Sequence, residues 1–459
     1  MPGESVRWKL SNWVSGKWAI FAPLTIAFRL ISLDTTSFAK TIVAVLLALL
    51  CAGLLWQQRR LMPALTSRDR LTRWAVFGLF RLAPFVLVYV VLGQEPRSDV
   101  EFFWVRAKAA FAGQWVYRDF LSYHAPLFSY ITAIPLLIWY NPRVLVLFMA
   151  VVEFIIANAT YRRYQTQTPD TLLRYVLYYA LPLPVVAMVL SSEEDIWMWG
   201  FGLLTLSLAA NRRFSFLAGL LWGAAMLTIK FMLVVLLIPV FFLIKDRFRY
   251  VVGLAVVGIP ALVLLYGLMG LAFLMPIQHS EIPMAPNLLS VLRPVLGSVF
   301  GQTSLTSLNW VGLLLTIGLS SAAAWQVRHA GYHRMFPYLY CLVFCLFMLC
   351  LPSAPGYYLF AHELVLVMLV LRNSRTDWGR FILLNVLLVI QPIIWVVYGK
   401  MALYNSFSTL TDPIHLLDYG IQLTEVVLLL WLLRLTYRQL IAESRRATND
   451  QLAYSPPPD

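Results

Sequence analysis

Residues 214–244 read FSFLAGLLWGAAMLTIKFMLVVLLIPVFFLI, and Lys230 is the one charge among them. A stretch this long and this apolar suits a ~30 Å hydrocarbon layer far better than a soluble core. The rest of the chain is of the same kind. Of its 459 residues, 60% fall in the hydrophobic set and 13% are charged, with a mean hydropathy of +0.73. Soluble domains run at ~45–50% apolar and ~25% charged. A soluble enzyme, a disordered chain and a disulfide scaffold are thereby excluded, and the chain reads as an all-α polytopic membrane protein.

Apolar runs near 18–33, 40–57, 74–93, 144–160, 172–190, 196–210, 214–229, 231–244, 250–274, 308–327, 335–351, 357–371, 381–399 and 419–437 predict about 14 membrane helices, within a range of 13–15. Several fall short of ~20 residues, which points to broken or protein-embedded helices. Residues 126–140 contain Pro135, end in Trp139-Tyr140 and read as a partial or interfacial helix. A crossing there would invert every later loop. The net charge of +14 is distributed as topology rather than as a nucleic-acid footprint. Arginine clusters such as Arg59/Arg60/Arg68/Arg70/Arg73, Arg212/Arg213, Arg372/Arg375/Arg380 and Arg434/Arg438/Arg445/Arg446 alternate with loops that, apart from 94–125, carry few Lys and Arg. The positive-inside rule puts those clusters and both termini in the cytoplasm. Loops 94–125, 191–195, 275–307 and 352–356 then lie outside. The expected organisation is an extra N-terminal hairpin (1–73), a catalytic module (74–245), a C-terminal membrane region (246–446) and a disordered cytoplasmic tail (447–459). Cys51, Cys341, Cys345 and Cys350 all sit in apolar runs and read as buried free thiols.

Polar residues that an interfacial helix does not explain gather on the external side. Phe103, Ala107, Ala110 and Phe111 recur at helical spacing, so 100–112 reads as an amphipathic helix on the membrane surface, ended by Gly113. Asp99, just before it, sits at headgroup depth and suits either a helix cap or a general base acting on a hydroxyl. Glu193, Glu194 and Asp195 open the next external helix; its dipole favours acids there, yet three consecutive carboxylates cannot share one face. Lys230 falls at the external tip of a tight helical hairpin, where an ionisable side chain is a functional candidate and suits a phosphate. Arg118, Lys108 and Arg293 are weaker candidates for the same role. Glu101, Asp119, Tyr123, His124, Tyr357, Tyr358 and His362 read as lining. Glu153, Glu425, Arg29 and Arg81 fall inside spans, where helix-packing pairs are expected. No glycine-rich phosphate loop or zinc-protease motif is present, and no metal ligand set is assigned.

The run Asp99…Gly113…Tyr117-Arg118-Asp119-Phe120…Tyr123-His124-Ala125-Pro126-Leu127-Phe128…Tyr130 resembles the first extracytoplasmic loop of the GT-C superfamily of membrane glycosyltransferases. Ser-Glu-Glu-Asp at 192–195, Asn211-Arg212-Arg213 and Thr228-Ile229-Lys230 extend the resemblance over roughly 74–245. It departs from the pattern in the preceding hairpin and in Glu-Glu-Asp, where relatives often carry one acid. The resemblance implies a GT-C-type helical bundle that moves a sugar from a polyprenyl-phosphate donor to an acceptor hydroxyl, with inversion. Asp99 would be the base, Glu193–Asp195 the second acidic motif, and Lys230 with Arg118 the phosphate ligands. It further implies a multi-pass protein of the bacterial cytoplasmic membrane with an extracytoplasmic site and a glycan, lipid or protein acceptor. No cofactor is required, and a divalent metal is allowed. The rival classes are a transporter or flippase of lipid-linked sugars, which predicts inverted repeats and midplane charges, and a non-catalytic assembly subunit.

Overall fold

The computed structural model describes residues 35–167, 170–278, 282–300, 304–398 and 404–453. The expected span 18–33, with Arg29, and the final residues of the tail lie outside them. Among the described residues the fold is helical throughout, its one β-feature being an isolated bridge between Val116 and Phe120. Eight helices are long and apolar enough to cross a membrane, or nine if a bent pair counts as one span. That pair, Thr171–Ala180 and Pro182–Ser191, bends by 55°. Pro182 removes a donor from the helix and holds Leu181 extended (ψ 142°).

The sequence-based count of about 14 is therefore not reached by helix length. Ile196–Ser207 has 12 residues and Phe214–Thr228 has 15. At 1.5 Å per residue they rise ~18 and ~23 Å, short of the ~30 Å layer. Phe231–Leu243 and Gly356–Val370 are short in the same way. Phe128–Leu137 is a ten-residue apolar helix, the partial helix expected within 126–140. At the other end of the chain, Pro413–Ala453 is one helix, so the tail is helical from 447 to 453 rather than disordered. Arg334 holds it there through Asp450 (2.7 Å).

The core lies around Tyr332–Cys350 and Thr171–Ala180. In Tyr332–Cys350, 78% of the apolar window is buried, against 11% for Phe38–Trp56 and for Arg247–Leu274. Those two present Leu49 and Val263 outward, as helices facing lipid do. Two helices come into backbone contact where Gly219 and Gly253 meet. A Cβ on Gly219 would come within 2.2 Å of the Tyr250 carbonyl, and one on Gly253 within 2.2 Å of the Phe216 carbonyl. Phe214–Thr228 thus packs directly along Arg247–Met269, across the expected boundary at 245. Inside the bundle, Arg81 donates to both carboxylate oxygens of Glu153 at 2.6 Å, and Tyr178 adds a third bond at 2.8 Å. This is one of the expected packing pairs. Glu425 is not; both its oxygens are buried without a partner among the described residues. The four cysteines are free, three of them buried.

Candidate functional site

Four segments far apart in sequence meet at one end of the bundle. The Asp99–Phe111 helix begins there, on the Asp99 side, and turns Val100, Phe103 and Ala107 into the protein. Ser98 occupies the cap position with φ 61° and makes no capping bond, so Asp99 is the first helical residue and not a cap. Arg106 lies seven residues on, two turns along the same face, and is buried with Asp99 and Glu194 among its electrostatic neighbours. The spacing 99–106 is the signal that marks Arg106 as a site residue. Glu101 points outward and is exposed.

The second acidic group follows a wide π-helical turn at Ala187–Ser191 and Ser192 in the left-handed region (φ 57°). Glu193 is 3% exposed, and Glu194 and Asp195 are fully buried. The third segment follows Phe214–Thr228: Ile229 leaves the helical region, Lys230 is extended, and the Ile229 and Leu227 carbonyls accept from the Ala125 and Leu127 amides at the end of the external loop (3.1 and 2.9 Å). This brings His124 beside the acids. The helices flanking Lys230 pack mainly on different neighbours, Arg247–Met269 and Leu305–Val327. Lys230 therefore sits at a junction rather than at the tip of a tight hairpin. The fourth segment is the Gly356–Leu359 turn carrying Tyr357 and Tyr358.

The contacts form one network. Lys230 Nζ donates to Glu194 Oε1 (2.6 Å) and Asp195 Oδ1 (2.7 Å) and lies 5.1 Å from the Tyr358 ring. His124 Nε2 is 3.0 Å from Glu194 Oε1, its ring stacked on Phe128 and edge-on to Phe103. Burial holds the imidazole below its ordinary range, so the ring is neutral at pH 7 and Nε2 carries the proton it donates to Glu194. Burial raises the Glu194 carboxyl, but Lys230 and His124 outweigh it and the net shift is downward. Asp195 is pushed up to about 6, burial outweighing its share of the same lysine. Burial and a hydrogen bond with Asp99 push Glu193 well above the usual carboxylate range. Glu193 Oε2, Glu194 Oε2, Asp195 Oδ2 and His124 Nδ1 are buried and face no partner among the described residues.

Other expected site residues lie elsewhere. Arg118 is half-exposed and pairs with Asp119 (2.8 and 2.9 Å), and neither joins the network. Asp119 also accepts from the Trp115 amide (2.7 Å), which with Arg118 holds its carboxyl down at about 2. Tyr117 bonds the His124 carbonyl. The Tyr-x-Asp motif thus staples the loop rather than lining the site. Tyr123 is 40% exposed and stacks on Arg106 at 5.4 Å, at the rim. His362 turns inward to Phe344 and Cys345, away from the acids, because its position faces the neighbouring Tyr332–Cys350 helix. Within loop 275–307, Met284 and Asn287 donate to the Pro352 carbonyl (2.8 and 3.3 Å), so 284–287 docks on the turn that leads to Tyr357. No group of three or more His, Cys, Asp or Glu side chains suited to a metal ion occurs among the described residues. Comparison with protein-family models, with curated proteins and with solved structures returns no match.

Proposed function

We propose that the chain is an inverting membrane glycosyltransferase that uses a polyprenyl-phosphate-linked sugar and acts on an acceptor hydroxyl at the extracytoplasmic face. One observation carries this reading: half-buried Asp99 and Lys230 and buried Glu193–Asp195 come from three separate segments and meet in one cluster. An interfacial cap, an acidic helix start and a snorkelling lysine have no reason to converge. Asp99 accepts the acceptor's proton. The freed oxygen attacks the anomeric carbon on the face opposite the phosphate, and the sugar–phosphate bond breaks with its electron pair leaving on the polyprenyl phosphate. Lys230 exchanges Asp195 for that phosphate, and Arg106 adds a second cation at the cluster. The unpartnered acceptors of Glu193, Glu194, Asp195 and His124 suit the hydroxyls of a sugar. No cofactor is required, and a divalent metal is compatible with this chemistry. In this reading the short helices, with the span near 18–33, complete a fourteen-crossing topology with both termini inside.

Transfer from radiolabelled polyprenyl-phosphate sugars to membrane-extracted acceptors, by purified wild type and by Asp99→Asn, tests the proposal. Loss of transfer in a folded mutant is the expected result; equal transfer would move the base to Glu193–Asp195. A flippase of lipid-linked sugars is the second reading, favoured by Glu425, a buried and unpartnered carboxylate inside the Pro413–Ala453 helix. It predicts movement of the donor between leaflets without any transfer of its sugar.

A further inference from the structure

The Gly356–Val370 helix leaves the acidic cluster and delivers the chain, about 22 Å further on, to Arg372. At that remote end the Arg375–Tyr398 and Pro413–Ala453 helices leave a groove of about 310 Å³ between them. Arg372, Arg380, Arg434 and Arg438 line it, with Trp431 and Leu435, and no carboxylate is among the lining residues. Arg372 pairs with Asp377 at 2.7 Å. Arg380, Arg434 and Arg438 make no ion pair among the described residues, and Arg380 lies 5.7 Å from the Trp431 ring. Positions 431, 434/435 and 438 fall on one face of the helix, so the stripe passes from an aromatic and a leucine to two guanidinium groups.

Arginine at the end of a membrane helix is ordinary; three unpaired guanidiniums converging on one concave surface are not explained by topology alone. They repel one another unless an anion joins them. Guanidinium forks fit phosphate oxygens, and the adjoining Trp431 and Leu435 suit the glycerol and first methylenes of a lipid. We propose that this groove binds the phosphate of an anionic phospholipid at the membrane surface remote from the acidic cluster. The lipid bridges the two helices, its phosphate held by Arg380, Arg434 and Arg438. The site is independent of the transferase reading.

Native mass spectrometry of the delipidated full-length protein in neutral detergent tests this, with dioctanoyl-phosphatidylglycerol, dioctanoyl-phosphatidylcholine and inorganic phosphate as probes. Wild type should bind the anionic lipid at least tenfold more tightly than the zwitterionic one. Arg434→Gln/Arg438→Gln should erase that preference. Arg445→Gln/Arg446→Gln removes the same charge from the same helix outside the groove and should leave it intact. Equal binding of both lipids, equal loss in both double variants, or displacement of the lipid by equimolar inorganic phosphate would overturn the assignment.

Discussion

Ser98 and Ser192 both adopt positive φ, and each stands immediately before one of the acidic groups that meet. Non-glycine residues hold such conformations where the surroundings over-determine them, which is common at functional sites. What the residues do chemically follows from how they share charge. Lys230 divides itself between Glu194 and Asp195, and Asp195 titrates near 6. Below that pH Asp195 is neutral, Lys230 keeps one carboxylate partner and the cluster becomes less negative, with Glu193, Asp99 and Tyr358 as the other groups around it. Since a sugar phosphodiester keeps its charge throughout, the KM for donor should fall as pH drops from 7 to 5. In Asp195→Asn this dependence should be absent, and a steady-state pH profile of both proteins checks it. Lys230→Met strips buried Asp195 of its cation and leaves Glu194 with His124 alone, and should destabilise the protein by ~3 kcal/mol, read from thermal unfolding in detergent. At this scale the sequence was legible where a charge interrupts apolar chain, as at Lys230. It was less so at Arg106: an amphipathic pattern cannot show that a neighbouring loop will cover a polar face, as the chain at Leu121 does here.

The helices were legible as elements because apolar runs bounded by arginine leave little freedom: 144–160 falls within the helix Arg143–Tyr164, and 335–351 matches Tyr332–Cys350 except at its last residue. Their lengths were less legible. Hydropathy does not distinguish a lipid-facing helix from a 12-residue helix packed on protein, as Ile196–Ser207 is on Arg143–Tyr164. Nor does it show which glycines set helix contacts. Gly219→Ala should destabilise by ~2 kcal/mol, since its Cβ meets backbone at 2.2 Å. Gly258→Ala, on the Arg247–Met269 helix with nothing within 4 Å, should change stability by less than ~0.5 kcal/mol. Paired thermal melts decide between a packing contact and a general glycine effect. Arg81→Met should cost ~3–5 kcal/mol by stranding Glu153, and adding Glu153→Met should recover most of it.

For the whole molecule, the acidic cluster and the arginine groove lie at opposite ends of the Gly356–Val370 helix, and the proposed topology puts the first outside and the second inside. Arg118→Cys, on the exposed loop, should react with a membrane-impermeant maleimide on intact cells. Arg212→Cys, between the Ile196–Ser207 and Phe214–Thr228 helices, should react only after lysis. The native thiols supply little background, three of the four being buried. Topology alone set Asp99, Glu193–Asp195 and Tyr357 on one external side as parts of a single acidic site; which of them touch, Asp99 with Glu193 and Tyr357 with both, was not in the sequence, because hydropathy carries no distance between side chains of separate segments. The most direct test of the central claim is sugar transfer from a polyprenyl-phosphate donor by wild type and by Asp99→Asn of unchanged melting temperature. The account predicts transfer by wild type and a loss of at least a thousandfold in the mutant. Undiminished transfer by Asp99→Asn would contradict it.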